Sequence, residues 1–99
     1  MKEIELEIEK TLVASTAHLS GTLEVTNIIS NNEFITDEYE YGFRIWIGSI
    51  DFPESYDLID LGHSHGFCEI IDLASQNNCS WVKFDSDGPA YDGLVTYEW

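Results

Sequence analysis

Glu3, Glu5, Glu7 and Glu9 alternate with Ile4, Leu6 and Ile8 at the start of the chain. In an extended strand this spacing sends the apolar set to one face and the four carboxylates to the other, about 6.8 Å apart. A row of fixed anions attracts cations. The whole chain carries 19 acidic against 4 basic residues, a formal charge of −15, so the row belongs to a field that draws in basic surfaces and repels nucleic acid. Duplex DNA has one charge per ~1.7 Å of axis, and a single strand of alternating Glu reaches about a quarter of that density. Other acids must add to it: Glu38 and Glu40 in a second alternating stretch, Asp37, Asp51, Glu54, Asp57 and Asp60 around it and after it, then Glu69 and Asp72. A plainer reading gives strand acids only the task of blocking edge-to-edge aggregation.

Three further constellations hold suitable atoms at unsuitable spacing. Asp85-Ser86-Asp87-Gly88 opens like a calcium loop, but Pro89 follows and Thr96 stands at the twelfth position where a Glu is needed; a solvated turn is the better reading. His63, His65, Cys68 and Cys79 offer zinc-binding atoms without the paired Cys-x-x-Cys or His-x₃-His of zinc fingers, and a Cys beside Phe67 on an apolar stripe is ordinarily a small buried hydrophobe. Ser15 and His18 could form a nucleophile and base, yet hydroxyls at a strand-to-helix junction are ordinarily caps. No Gly-x-Ser-x-Gly elbow and no glycine-rich phosphate loop occurs in the sequence. The sequence therefore predicts no catalytic residue, metal site or cofactor. Trp46, an aromatic beside carboxylates, fits an interaction hot spot with a charged rim. Glu3, Glu5, Glu7, Glu9, Glu38, Glu40 and Trp46 are the expected partner contacts.

The elements that must position these residues follow from periodicity. A first strand is expected over 2–10, continuing through Leu12 and Ala14, with Ser15-Thr16 capping a helix over 17–30 that ends at Ser30-Asn31-Asn32. Alternation from Glu38 to Gly48 predicts a second strand, with Tyr39, Tyr41, Phe43, Ile45 and Ile47 on one side. A helical turn from Ser55 to Leu61 stops at Gly62. Phe67, Ile70, Ile71 and Ala74 at i, i+3, i+4, i+7 then make the apolar stripe of a second full helix, closed by Asn77-Asn78. Trp81 to Phe84 and Leu94 to Trp99 read as two last strands. The order β-α-β-α-β-β predicts an α+β fold, one domain over 1–99, in which two helices cover one face of a three- to four-stranded sheet and the glutamates occupy the other.

Ninety-nine residues with 43% apolar and 13% aromatic side chains suffice for one core despite the charge. Two cysteines are too few for a disulfide framework, and neither a signal peptide nor a membrane span is read. A reduced, cytoplasmic protein is expected, a monomer or a homodimer through a weakly charged edge.

Ser15-Thr16-Ala17-His18, Tyr41-Gly42-Phe43 and the run Trp81-Val82-Lys83-Phe84-Asp85-Ser86-Asp87-Gly88-Pro89, with Asp92-Gly93-Leu94-Val95-Thr96-Tyr97-Glu98-Trp99, resemble a family of short uncharacterised proteins carried by bacterial phages, plasmids and other mobile elements. The resemblance implies a small α+β domain in a bacterial cytoplasm and brings no catalytic residue. With the charge it leads to the expectation of an anti-CRISPR or anti-restriction inhibitor that mimics nucleic acid on a basic surface of a host protein. The alternative is a non-catalytic module, a ligand sponge or protein adaptor, using its sheet or a pocket between helices.

Overall fold

The structure, a computed structural model, describes residues 4–49 and 51–99. Its elements are β1 (Thr11–Ser15), a 3₁₀ turn (Thr16–His18), α1 (Thr22–Ser30), β2 (Thr36–Tyr39), β3 (Gly42–Trp46), α2 (Ser55–Asp60), α3 (His65–Gln76) and β4 (Trp81–Asp85). The strands form one mixed sheet in the order β1-β4-β3-β2. β1 runs parallel to β4, and the other two pairings are antiparallel. This is the α+β class that the periodicities predict.

The core lies between the sheet and the helices. Ala14, Phe43, Ile45, Val82 and Phe84 from the strands meet Ile28, Leu58, Phe67, Ile70, Ile71 and Ala74 from the helices, all buried. Phe84 stands between Phe43 and Phe67, with ring centroids 5.4 and 5.9 Å away. Each large side chain buried in this layer contributes about 1.5–3 kcal/mol, so the four-residue stripe of α3 anchors the helix to the sheet. Ser64 caps α3 by accepting the Phe67 N–H at 3.2 Å. Beyond the helix end, Asn78 takes the left-handed conformation at φ 59° that Asn tolerates.

Four expectations are corrected. The first strand does not cover 2–10: residues 4–10 belong to no strand, and Ile4, Leu6 and Ile8 are 78%, 73% and 75% exposed instead of buried. The reason is the neighbour: β4 begins at Trp81, and the turn at Asn77-Asn78-Cys79 before it offers no strand against which residues 4–10 could pair. They form an arm, and the radius of gyration, 14.1 Å, exceeds the ~13 Å of a compact chain of this length. Second, 38–48 is a hairpin, not one strand; it reverses between Tyr39 and Gly42, and the register that pairs Asp37 with Arg44 and Glu38 with Phe43 puts Tyr39 on the face opposite Phe43 and Ile45, not beside them. Third, the 17–30 helix splits at Leu19 to Gly21 into a 3₁₀ turn and α1. Fourth, Leu94–Trp99 adds no strand; Tyr97 N–H bonds Ala17 C=O at 2.8 Å and Val95 N–H bonds the Glu69 carboxylate at 3.2 Å, so the tail lies across the helix layer.

The outer face of the sheet also differs from the expectation. Instead of a glutamate row it carries Trp81 and Trp46 in one register row and Val13, Lys83, Arg44 and Asp37 in the next.

The first turn of α3 rests on the 3₁₀ turn without room for a side chain: a Cβ at Gly66 would stand 2.0 Å from the His18 carbonyl oxygen. Gly66→Ala should therefore destabilise the fold by about 3 kcal/mol, read as a lower urea midpoint at unchanged slope.

Candidate protein-interaction surface

The arm is fastened at its root. Lys10 C=O accepts from Ser80 N–H at 2.8 Å and Trp81 N–H at 3.1 Å, and Lys10 Nζ donates to Asn77 C=O at 2.6 Å. Glu9 Oε2 accepts the Trp81 indole N–H at 2.7 Å. Trp46 meets Trp81 edge-on at 5.0 Å. The Arg44 guanidinium lies 3.9 Å over the Trp81 ring and 2.7 Å from Asp37 Oδ2, so the indole is packed on several sides and its one polar atom is satisfied. Glu9 and Trp46 thus share a cluster centred on Trp81. Glu5 and Glu7 lie further out on the arm and are exposed; Glu3 lies outside the described residues.

Glu38 and Glu40 stand elsewhere. The register pairs Trp46 with Trp81 at one end of β4 and Gly42 with Asp85 at the other, which puts the hairpin turn about 13 Å along the sheet from the arm's root. Both glutamates are exposed there, beside a groove of about 310 Å³ lined by Val25, Ile29, Tyr41 and Trp99 among others. The five described glutamates therefore form two groups at opposite ends of the sheet, not one continuous row.

Among the described residues the three cations are all engaged by the chain's own groups: Lys10 by Asn77 C=O, Arg44 by Asp37, and Lys83 by Asp85 at 3.6 Å and by the Tyr39 ring. Glu5, Glu7, Glu33, Glu38, Glu40, Asp51, Glu54, Asp57, Asp60 and Asp72 are exposed with no cation of the described residues in a salt bridge to them.

The other constellations resolve into structural roles. Ser15 Oγ accepts the Ala17 N–H at 3.0 Å, whereas His18 is fully buried with Nδ1 2.8 Å from Val95 C=O and Nε2 accepting the Tyr91 N–H at 3.0 Å. These partners fix a neutral imidazole protonated on Nδ1, and neither side chain is aimed at the other. Asp85 Oδ1 accepts the Asp87 N–H at 2.8 Å, the turn geometry expected of an Asp-x-Asp-Gly sequence. No group of three or more His, Cys, Asp or Glu side chains able to hold a metal ion occurs among the described residues. Burial, with the charges of Glu24 and Asp72, pushes the Cys68 thiol up to about 11, which keeps it protonated and poor as nucleophile or metal ligand.

Residues 11–99 match the family described as "Family of unknown function (DUF5983) C-terminal domain". The chain belongs to this family. The matched DUF5983 domain starts at Thr11, where strand pairing also starts, so the arm precedes it. No curated protein and no solved structure matches the chain, and no described helix is long and apolar enough to cross a membrane.

The residue that sequence reasoning missed in the DUF5983 domain is Glu24. It is 7% exposed; Oε1 accepts from Ser20 N–H at 2.8 Å and Ser64 O–H at 2.7 Å, and Oε2 accepts Ser64 N–H at 2.6 Å. One carboxylate in the first turn of α1 thereby reaches back over its own N-terminus and also holds the cap of α3. The signal was an acid three residues after Gly21, hidden because the helix was expected to start at 17. His63 Nδ1 is 3.9 Å from Glu24, too far to hydrogen-bond, and the ring packs 4.9 Å from Phe67 and 5.7 Å from Phe34. Burial holds the His63 imidazole below its ordinary value of 6.5, against the opposing pull of Glu24, so the pair is not an ion pair near neutrality.

Glu24→Ala strands three donors and should cost about 3 kcal/mol in a urea titration. The unfolded chain protonates His63 more readily than the folded one, so stability falls as pH drops below 6.5. His63→Phe should remove that component: on going from pH 8 to pH 5.5, wild type should lose thermal stability relative to the variant.

Proposed function

We propose that this domain is a non-catalytic binding module that docks on a basic protein surface of the kind that holds nucleic acid, and thereby inhibits the protein that owns it. The setting that fits the mobile-element resemblance is a bacterial host cell, with an anti-CRISPR or anti-restriction role. One observation carries the reading: the described cations are engaged by the chain's own groups at its surface while exposed carboxylates line the arm, the hairpin, the 51–60 segment and the outer side of α3. Such a surface approaches Lys- and Arg-rich partners quickly through long-range attraction and is repelled by nucleic acid itself. Because the arm and hairpin acids stand at opposite ends of the sheet, the contact spans the molecule; it does not follow a single strand.

A second reading, an adaptor or ligand-binding module, is supported by the groove beside Tyr41 and Trp99. Salt separates the two, since a contact built on exposed charges weakens steeply as salt rises and a groove-filling contact does not.

The test is release of a labelled duplex from a CRISPR effector or restriction enzyme of the host. Wild-type protein should compete with the duplex, roughly tenfold less well at 200 mM than at 50 mM salt. The quadruple variant Glu5→Gln, Glu7→Gln, Glu38→Gln, Glu40→Gln leaves the Glu9 to Trp81 bond in place and should compete at least tenfold more weakly. Equal competition by the variant, or indifference to salt, contradicts the proposal.

A further inference from the structure

We propose that the arm, residues 4–9, is a donor strand that pairs with the free sheet edge of a partner protein, an edge on which apolar side chains alternate with Lys or Arg. This rests in part on the charge-driven docking proposed above, but adds a requirement: charge alone needs only the carboxylates, whereas strand donation needs their alternation with Ile4, Leu6 and Ile8.

Four observations carry it. The arm has the period of a strand and no strand partner among the described residues; its three apolar side chains are 73–78% exposed, and no backbone-to-backbone hydrogen bond joins residues 4–9 to another described residue. An exposed segment of this pattern is what an edge-pairing partner recognises: main-chain bonds supply affinity, and alternate side chains supply choice. Its base is held, by Glu9 on Trp81 and by Lys10 on Ser80, Trp81 and Asn77, so the strand is presented in a fixed direction and less order has to be imposed on binding. The pairing of β1 with β4 stops at Thr11 and Trp81, leaving the arm as the unpaired continuation of a sheet strand. Finally, charge selects among occupants. An antiparallel pair of two arms with Leu6 opposite Leu6 would set Glu5 against Glu7 twice over, the arm of one copy on the β2 edge of another would meet Asp37 and Glu38, and the β1 edge, Thr11–Ser15, offers no cation to pair with the glutamates. Like charges directly opposite are destabilising. A protein edge bearing cations at every second position turns the same geometry into opposite-charge pairs.

The experiment uses the full chain with two capped eight-residue peptides of the same composition, one alternating Lys and Val and one with four Lys followed by four Val. Peptide binding is read by fluorescence anisotropy at 50 mM salt, with far-UV circular dichroism to follow gained strand and sedimentation velocity to follow self-association. The alternating peptide should bind at least tenfold more tightly than the block peptide and add strand signal. Leu6→Pro, which cannot complete a ladder, should erase that difference while the thermal transition of the domain stays in place. Equal binding of the two peptides overturns strand donation and leaves docking by charge standing. Binding of neither overturns both. An arm-dependent dimer without peptide, lost in Leu6→Pro, overturns the basic partner in favour of a second copy.

Discussion

β4 is held on both edges and covered by the helices on one face, and the rest of the structure depends on how it is held. It enters the sheet between β1 and β3, placing Val82 and Phe84 under the helices and Trp81, Lys83 and Asp85 on the outer face. The inner side chains close the core through Phe67 and Phe43. The outer ones gather Arg44, Trp46 and Glu9 around one indole. Because Ser80 and Trp81 both donate to Lys10, the start of β4 also decides where the N-terminal segment stops being sheet and becomes an arm.

That division arranges the charge. A molecule of −15 repels itself, and the fold withstands this by burying apolar side chains in one layer and by giving its buried carboxylate, Glu24, three donors. The cations among the described residues serve the outer face of the sheet and the root of the arm. What faces solvent is left acidic. The arm carries both unneutralised acids and unburied aliphatic side chains, which is the chemistry of a contact surface more than of a solvated tail.

How much of this the sequence disclosed depends on whether a feature is local. The stripe Phe67, Ile70, Ile71 and Ala74 was readable because a helix satisfies its own backbone, and its end was marked by Asn77-Asn78. Residues 4–10 misled because alternation states which face a side chain would take in a strand, not whether a second strand lies beside it; that depended on where β4 begins, some seventy residues away in sequence. Tyr39-Glu40-Tyr41-Gly42 hid its turn because the alternation of aromatic and other residues runs on through it, although the reversal exchanges the faces. Of the candidate contacts, Glu9 and Trp46 do meet through Trp81, whose cross-strand position no local pattern reveals, while Glu38 and Glu40 were sent to the far end of the sheet by that same hidden turn. Glu24 was overlooked for a related reason: its donors come from Ser20 nearby and from Ser64, forty residues on.

The account stands on an arm that is tied at Glu9 and Lys10 and free before them. Hydrogen–deuterium exchange on the isolated chain measures this directly. The amides of residues 4–8 should exchange at the rate of an unstructured peptide, while the Ser80 and Trp81 amides, both bonded to Lys10 C=O, exchange slowly with the rest of the sheet. Protection across residues 4–8 comparable to that of β4 would mean that the arm is already paired within the chain, and would contradict the account.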